Sequence, residues 1–163
     1  MIYTPIINLH NASYNFSLHC ASYIRGFFMN RSDCPISSAL DYVGDRWSLL
    51  VIRDIAFFGK RSYNSLLESA EGIATNILSS RLNTLEENKI IIKQRDPEDG
   101  RRHLYSLTES GKDLLPILIE MILWSARHHP ENLDIPVDIV KMAKQDRDAL
   151  LSRLGDQIDY GQV

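Results

Sequence analysis

Cysteine is scarce in this chain of 163 residues, which contains only Cys20 and Cys34. Two cysteines cannot form the disulfide framework of a small secreted domain, so a reducing compartment is expected. No apolar run reaches the roughly 18 residues that a membrane-spanning helix needs, and the N-terminus lacks the pattern of a signal peptide. These absences predict a cytoplasmic protein with no membrane partner.

The motifs of enzymes and metal sites are also missing. The sequence has no glycine-rich phosphate loop and no nucleophile elbow. His128 and His129 are adjacent, so on a helix they would point to different faces and could not form a paired ligand set. The carboxylates of Asp45 and Asp54 have no partner motif and are interpreted as solvated. The sequence therefore predicts no enzymatic activity, no cofactor and no metal site.

A strong charge excess is absent as well. The formal net charge of −3 argues against a protein that coats DNA without sequence preference. A sequence-specific binder needs only a local basic face, and the chain has the residues for one. This face can be assembled from Lys60, Arg61, Arg81, Lys93, Arg95, Arg101 and Arg102.

The most informative segment begins with an amphipathic helix. Leu78, Leu82 and Leu85 recur at positions i, i+4 and i+7, which places them on one stripe that faces a core. Short, uncharged polar side chains lie on the opposite face, where they suit a close approach to base edges. This polar set comprises Asn76, Ser79, Ser80 and Asn83. Taken alone, the pattern also fits any solvated helix face.

The residues that follow favour a function in DNA recognition. Residues 90–95 are rich in β-branched side chains, residues 96–100 form a charged turn that ends in Asp-Gly, and residues 103–107 alternate as a returning strand. Arg101 and Arg102 stand beside the tip of this hairpin. A helix followed directly by a basic-tipped hairpin is typical of a winged helix-turn-helix, in which the helix enters a major groove and the hairpin reaches the neighbouring backbone.

Four helices are predicted ahead of this hairpin. One begins at Pro35 with Asp33 or Cys34 at its cap, and a nearly all-apolar central helix follows Asp45. A short helix over residues 63–69, capped by Ser62, precedes the helix Thr75–Asn88.

After the hairpin, Thr108 is expected to cap one continuous helix that runs to Trp124, mildly kinked at Pro116. This helix is apolar on every side, which a small domain cannot cover, so it predicts contact with a second subunit. One more amphipathic helix is expected after Pro130.

An ordered series of blocks in this chain resembles a known family. The blocks read C-P-I-S-S-A-L-D-Y-V-G-D-R-W-S-L-L-V-I-R-D-I, G-I-A-T-N-I-L-S-S-R-L-N-T-L-E, Y-S-L-T-E-S-G and L-L-P-I-L. They resemble the HxlR family of bacterial regulators, which are winged-helix proteins related to the MarR group, over about residues 33–130. The resemblance implies a homodimeric DNA-binding transcriptional regulator whose dimer contacts come from the first and last helices. It also implies a redox- or electrophile-sensing role for Cys34, because some members carry a sensing cysteine at this position.

Together these observations predict a mainly α fold with a small β-wing. The predicted organisation is an N-terminal extension over residues 1–30 that is poorly ordered, an HxlR-type winged helix-turn-helix domain over residues 31–130, and a C-terminal helical extension over residues 131–163. A homodimer would place two Thr75–Asn88 helices in successive major grooves, about 34–36 Å apart, on a near-palindromic site.

The predicted contacts to double-stranded DNA divide by chemistry. Thr75 and the first amides of its helix would hold phosphate, and the polar set would face bases. Arg101 and Arg102 would grip the backbone or the minor groove, with Lys60 and Arg61 on flanking phosphates and Arg81 on the same basic face. The alternative is a winged helix used for protein assembly. The sequence names neither the operator nor a small-molecule effector.

Cys34 allows two interpretations. At the start of a helix, unpaired amides and the helix dipole favour a thiolate, so the residue is a candidate thiol switch. Free cysteine is also a common small core residue, and a buried structural role is the competing interpretation.

Overall fold

The computed structural model describes residues 33–132 and 136–160. Within these residues the chain forms eight α-helices and a two-stranded sheet. The prediction that residues 1–30 are poorly ordered lies outside the described residues. The elements in chain order are α1 (Pro35–Val43), α2 (Ser48–Phe58), α3 (Tyr63–Leu67), α4 (Thr75–Glu87), β1 (Ile91–Arg95), β2 (His103–Leu107), α5 (Glu109–Lys112), α6 (Leu115–His128), a 3₁₀ turn (Pro130–Asn132), α7 (Val137–Gln145) and α8 (Arg147–Tyr160).

The centre of the domain is α2, as its all-round apolar sequence predicts. Val51, Ile52 and Ile55 are buried, and α2 contacts α3, α4, α6, α8 and β2. Asp45 precedes this helix, and its carboxylate accepts hydrogen bonds from the amides of Trp47 at 2.8 Å and Ser48 at 3.0 Å. These two amides lack partners within the helix, so the side chain of Asp45 fixes where α2 begins.

The helix-turn-helix consists of α3 and α4. Ser62 and Ser65 form a reciprocal capping box at the start of α3, which confirms the predicted cap. Gly72, with φ of 68°, makes the turn into α4 in a conformation that L side chains rarely adopt. The leucine stripe of α4 is fully inside the core, since Leu78, Leu82 and Leu85 are at most 2% exposed.

The wing is an antiparallel hairpin in which Ile91 pairs with Leu107 and Arg95 with His103. Its inner end is locked to the core, where the hydroxyl of Thr108 bonds the carbonyl of Ile90 and accepts the amide of Gly111. A side chain at position 111 would place its Cβ 2.2 Å from the carbonyl oxygen of Ile90, so glycine is needed for this close approach.

Two predictions about the C-terminal half are wrong. The helix after Thr108 is two helices, and Pro116 lies in the first turn of α6, where its missing amide costs no hydrogen bond and causes no kink. The single helix expected after Pro130 is also two, because Asp146 adopts an extended conformation between α7 and α8. Within the described residues, no helix is both long and apolar enough to cross a bilayer.

The C-terminal extension joins the same core as the rest of the domain. Leu150, Leu154 and Ile158 of α8 are at most 4% exposed and belong to the hydrophobic cluster around α2. Arg147 at the start of α8 forms an ion pair with Glu120 of α6. The described residues of the extension therefore belong to the same compact unit as the rest of the domain.

Large apolar side chains stay exposed on two helices. Ile36 and Leu40 of α1 are 72% and 55% exposed. On α6, Ile117, Met121 and Trp124 are 45%, 50% and 57% exposed. A single chain leaves these apolar residues of α1 and α6 in water, which is unfavourable by about 25 cal/mol for each Å².

Candidate nucleic-acid interface

Over residues 75–83 the outward face of α4 is polar, uncharged and open to solvent, and Glu86 and Glu87 follow at the exposed C-terminal end of the helix. The five exposed side chains of this uncharged face, which we call the reading face, are Thr75, Asn76, Ser79, Ser80 and Asn83. The buried leucines on the opposite side hold the helix rigidly against α2 and α3. Sequence periodicity thus correctly separated the two faces, and the exposed one combines hydroxyls with carboxamides, both of which can bond base edges.

Tyr63, the first residue of α3, contacts the start of α4. Its hydroxyl lies 2.9 Å from the carbonyl oxygen of Thr75 and 3.0 Å from the hydroxyl of Ser79. Sequence reasoning missed this residue, because the contact depends on the angle between α3 and α4 and leaves no mark in the spacing. Tyr63 therefore lies beside the reading face, in contact with two of its residues.

The tip of the wing presents the two predicted arginines to solvent. The side chains of Arg101 and Arg102 are 95% and 69% exposed, and both lie near Asp99, at 3.6 Å and 3.2 Å respectively. Asp99 also accepts the amide of Arg101, and Asp96 accepts the amide of Glu98. These acids partly cancel the positive charge of the tip, yet they shape the turn that exposes the arginines.

Of the five other cations predicted for the basic face, Lys93 and Arg95 are exposed on β1, and the remaining three have partners within the protein. Lys60 lies 3.4 Å from the carboxylate of Asp54 and donates to the carbonyl of Glu68. Arg61 donates to the carbonyl of Ile158 at the end of α8. Arg81 pairs with Asp45 at 3.2 Å. A phosphate would have to share or replace these contacts. Lys60, Arg61 and Arg81 are therefore less available to DNA than the exposed arginines of the wing.

Asp54 corrects the interpretation of the α2 acids as solvated. Its side chain is only 3% exposed, and it accepts two hydrogen bonds from Arg53 besides the contact with Lys60. Burial acts to lower the pKa of Arg53, but its bonds to Glu71 and Asp54 raise that pKa above the usual value. The buried carboxylate is thus paired with two cations, as burial of a charge requires.

Asp45 is the second correction, since it links two parts of the site. It caps α2 and pairs with Arg81 of α4. Burial acts to raise the pKa of Asp45, but bonds from the Ser48 hydroxyl, the amides of Trp47 and Ser48, and Arg81 lower it below its ordinary value. The charged form of Asp45 therefore connects the turn after α1 to the helix that carries the reading face.

Cys34 is exposed and stands at the N-cap of α1, directly before Pro35. The interpretation of Cys34 as a buried core residue is therefore wrong. Cys20 lies outside the described residues. Within the described ranges, no group of three or more His, Cys, Asp or Glu side chains is arranged to hold a metal ion.

This arrangement of α3, α4 and wing matches known proteins. The profile of the HxlR-like helix-turn-helix family matches residues 42–133, more than half of the chain. The chain belongs to this family. Its fold is accordingly a winged helix-turn-helix, as the sequence predicts.

Individual relatives agree with this assignment. An HTH-type transcriptional regulator of Mycobacterium bovis, Mb3122, is 36% identical over 104 residues, which cover 64% of this chain and 65% of that protein. The chain thus spans slightly less than two thirds of the length of this relative. Among solved structures, the candidate transcription factor PA1607 has a TM-score of 0.58 and 32% identity, covering 65% of this chain and 74% of that one. The redox regulator HypR in its oxidised form has a TM-score of 0.51 and 28% identity, covering 59% of this chain and 98% of that one.

The family match ends at residue 133, so α7 and α8 lie beyond it. Sequence reasoning assigned this extension no role, and its only signal was the apolar spacing that places Leu150, Leu154 and Ile158 on one helix face. These residues cover α2, and the carbonyl of Ile158 holds Arg61 beside the helix-turn-helix. The extension therefore supports the domain that carries the reading face.

Proposed function

We propose that this chain is a sequence-specific DNA-binding transcriptional regulator that acts as a homodimer on a near-palindromic operator in the bacterial cytoplasm. The observation that carries the proposal is the exposed reading face on a helix whose leucines are at most 2% exposed. A rigid helix with short, uncharged polar side chains can approach base edges without a charge penalty, and asparagine can pair bidentately with adenine.

Phosphate contacts would come first from the wing. Arg101 and Arg102 project into solvent from a hairpin that follows α4 directly, the geometry in which a wing reaches the backbone beside the groove. The start of α4 at Thr75 offers unpaired amides to a further phosphate. Lys60, Arg61 and Arg81 would add flanking contacts only by sharing or leaving their internal partners.

The homodimer is supported by the exposed apolar residues of α1 and α6. A single reading helix contacts a few base pairs, whereas two helices related by a two-fold axis would contact half-sites one turn of DNA apart. Burying Ile36, Leu40, Met121 and Trp124 between two copies would remove this apolar surface from water. The operator would then share the two-fold symmetry of the protein.

Cys34 is proposed to regulate this dimer as a thiol switch. It is exposed, stands at the start of α1, and lies two residues from the exposed Ile36. A peroxide would oxidise the thiol to sulfenic acid and leave as water or an alcohol, and condensation of the sulfenic acid with the thiol of a second Cys34 or of Cys20 would form a disulfide and release water. The likeness to a protein named a redox regulator supports this proposal.

Selection of bound duplexes from a random pool tests DNA binding, symmetry and site together. The expected result is one enriched motif with two inverted half-sites, and binding that weakens steeply with salt. Recovery of no motif, together with salt-insensitive binding, would contradict the proposal and favour a winged helix used for protein assembly.

The thiol switch has a separate test. Binding of the selected operator by wild type and Cys34→Ser is measured before and after mild peroxide or diamide. Only the wild type is expected to respond. If both proteins respond alike, or neither responds, Cys34 has no switching role.

A further inference from the structure

We infer that Tyr63 determines which bases Ser79 can read, by fixing the direction of the Ser79 hydroxyl proton. Ser79 would then offer the major groove only lone pairs and select a base with an exocyclic amino group, adenine or cytosine. This inference rests on the proposed DNA-binding function and deepens it, because it names the base class at one position of each half-site.

The first step concerns the proton of Tyr63. The Tyr63 hydroxyl lies 2.9 Å from the carbonyl oxygen of Thr75, which has lone pairs but no proton. A hydrogen bond between these two atoms therefore exists only if Tyr63 donates. The phenol has a single proton, so this contact uses its whole capacity as a donor.

The second step follows for Ser79. Its hydroxyl lies 3.0 Å from the same phenolic oxygen, a distance at which either atom could donate. Because the proton of Tyr63 is already directed to Thr75, Tyr63 must accept here and Ser79 must donate. The direction of this second bond is thus set by the first, and the Ser79 proton points back into the protein.

The third step concerns the hydrogen bonds that Ser79 can still make with DNA. A serine hydroxyl ordinarily reads donors and acceptors alike, since its proton can rotate towards either. With the proton held by Tyr63, the exposed Ser79 oxygen can only accept. In the major groove, adenine and cytosine offer N6 and N4 amino donors, whereas O6 and N7 of guanine and O4 of thymine are acceptors that would face its lone pairs.

The start of α3 is held so that Tyr63 stays in position for these two hydrogen bonds. Tyr63 follows Ser62, whose side chain and that of Ser65 form the capping box that fixes the first turn of α3. The chain on the other side of Ser62 is also held, because the carbonyl of Arg61 accepts the amide of Tyr105 in β2 at 2.7 Å. Tyr63 is therefore a specificity residue that acts through Ser79 and needs no contact with DNA of its own.

The test uses the full chain and a panel of duplexes in which each half-site position carries each of the four bases in turn. Wild type should show one position at which adenine or cytosine binds more tightly than guanine or thymine, and Ser79→Ala should lose that preference. Tyr63→Phe removes only the phenolic oxygen and should reduce the preference at that position by about fivefold, the worth of one net hydrogen bond, because the freed hydroxyl can now donate. All other positions should keep their preferences.

Thr84→Val is the matched control, since it removes another hydroxyl-to-carbonyl bond from the same helix, the 3.0 Å bond from Thr84 to Ser80. Its base preferences should equal those of wild type. The inference is overturned if Tyr63→Phe leaves every preference unchanged, if Thr84→Val produces the same change, or if Tyr63→Phe weakens all positions together, which would mean that Tyr63 holds the helix and not a proton. Wild type without preference at any position would instead contradict the proposed function.

Discussion

The reading face of α4 and the outward apolar residues of α1 and α6 are both exposed, but their chemistry is opposite. The reading face has five polar, uncharged side chains, and its helix is already stable because three leucines are buried behind it. On α6 the exposed large apolar side chains are Ile117, Met121 and Trp124. The first face can remain in water until a ligand arrives, whereas the second gains free energy only when another apolar surface covers it.

This difference in chemistry indicates which of the two faces would bind DNA and which would bind a second subunit. A base edge requires groups that exchange one hydrogen bond for another at little cost, which hydroxyls and carboxamides do. A second subunit requires removal of apolar area from water, which the residues of α1 and α6 supply. The two faces should therefore respond to substitution in separate assays.

The largest effect is expected from Trp124→Ala. An aromatic side chain at the centre of an interface commonly contributes about 2 kcal/mol or more, so the dissociation constant of the dimer should rise by about 30-fold or more. Sedimentation measures this constant, and the wild-type melting temperature should rise with protein concentration. Phe58→Ala is the control, because Phe58 is 63% exposed but lies on α2. A wild type that stays monomeric at micromolar concentration would remove the dimer from the proposal.

Asn76→Ala tests the reading face without touching the apolar residues. We expect the preference at one base position to relax by about 1–3 kcal/mol, the worth of one bidentate contact. The dimer dissociation constant and the melting temperature should not change, since the side chain of Asn76 is exposed. Equal losses at every base position would mean that Asn76 positions the helix and does not read a base.

Arg101→Ala should weaken binding to all sequences alike. Losing one phosphate contact lowers the slope of the logarithm of affinity against the logarithm of salt concentration by about 0.9. Binding measured at several salt concentrations, on specific and random duplexes, gives this slope. Asp99→Asn is a useful comparison, because it removes the acid beside both wing arginines and should strengthen binding at low salt. A change of base preference in Arg101→Ala would contradict the phosphate role.

The smallest effect is expected at Asp45, which joins the two regions through its bond to Arg81. The folded state lowers the pKa of Asp45, so its contribution to stability is present above the unfolded pKa of about 3.9 and is lost as pH falls through the lower folded value. Because the side chain is 30% exposed, this contribution should stay below about 1 kcal/mol.

Asp45→Asn should therefore reduce the loss of stability between neutral pH and the acid range, as measured by the free energy of unfolding against pH. Asp113→Asn controls for the removal of one exposed carboxylate. Parallel curves for Asp45→Asn and wild type down to acid pH would show that Asp45 does not stabilise the fold through its charge.

Short-range chemistry explains why much of the fold could be predicted. The caps at Ser62 and Thr108, the leucine stripe of α4 and the hairpin tip are each decided within a few residues, and all were confirmed. Pro116 shows the limit of such rules, because a proline kinks a helix or starts one depending on where the preceding turn ends. The packing of α5 against β2 sets the position of that turn, and the hydrophobic periodicity of the sequence carries no information about this packing.

By itself the sequence determined the winged helix-turn-helix, the polar set of α4 and the exposed arginines of the wing, because spacing and turn chemistry act locally. Only the tertiary structure decided which charged and polar side chains are paired within the protein. It paired Asp54 with Arg53 and Lys60, brought Asp45 to Arg81, and set the hydroxyl of Tyr63 between Thr75 and Ser79. The contacts of Asp45 with Arg81 and of Tyr63 with Thr75 and Ser79 join residues that are distant in the chain, and these partners are chosen by the angles at which helices meet around a shared core.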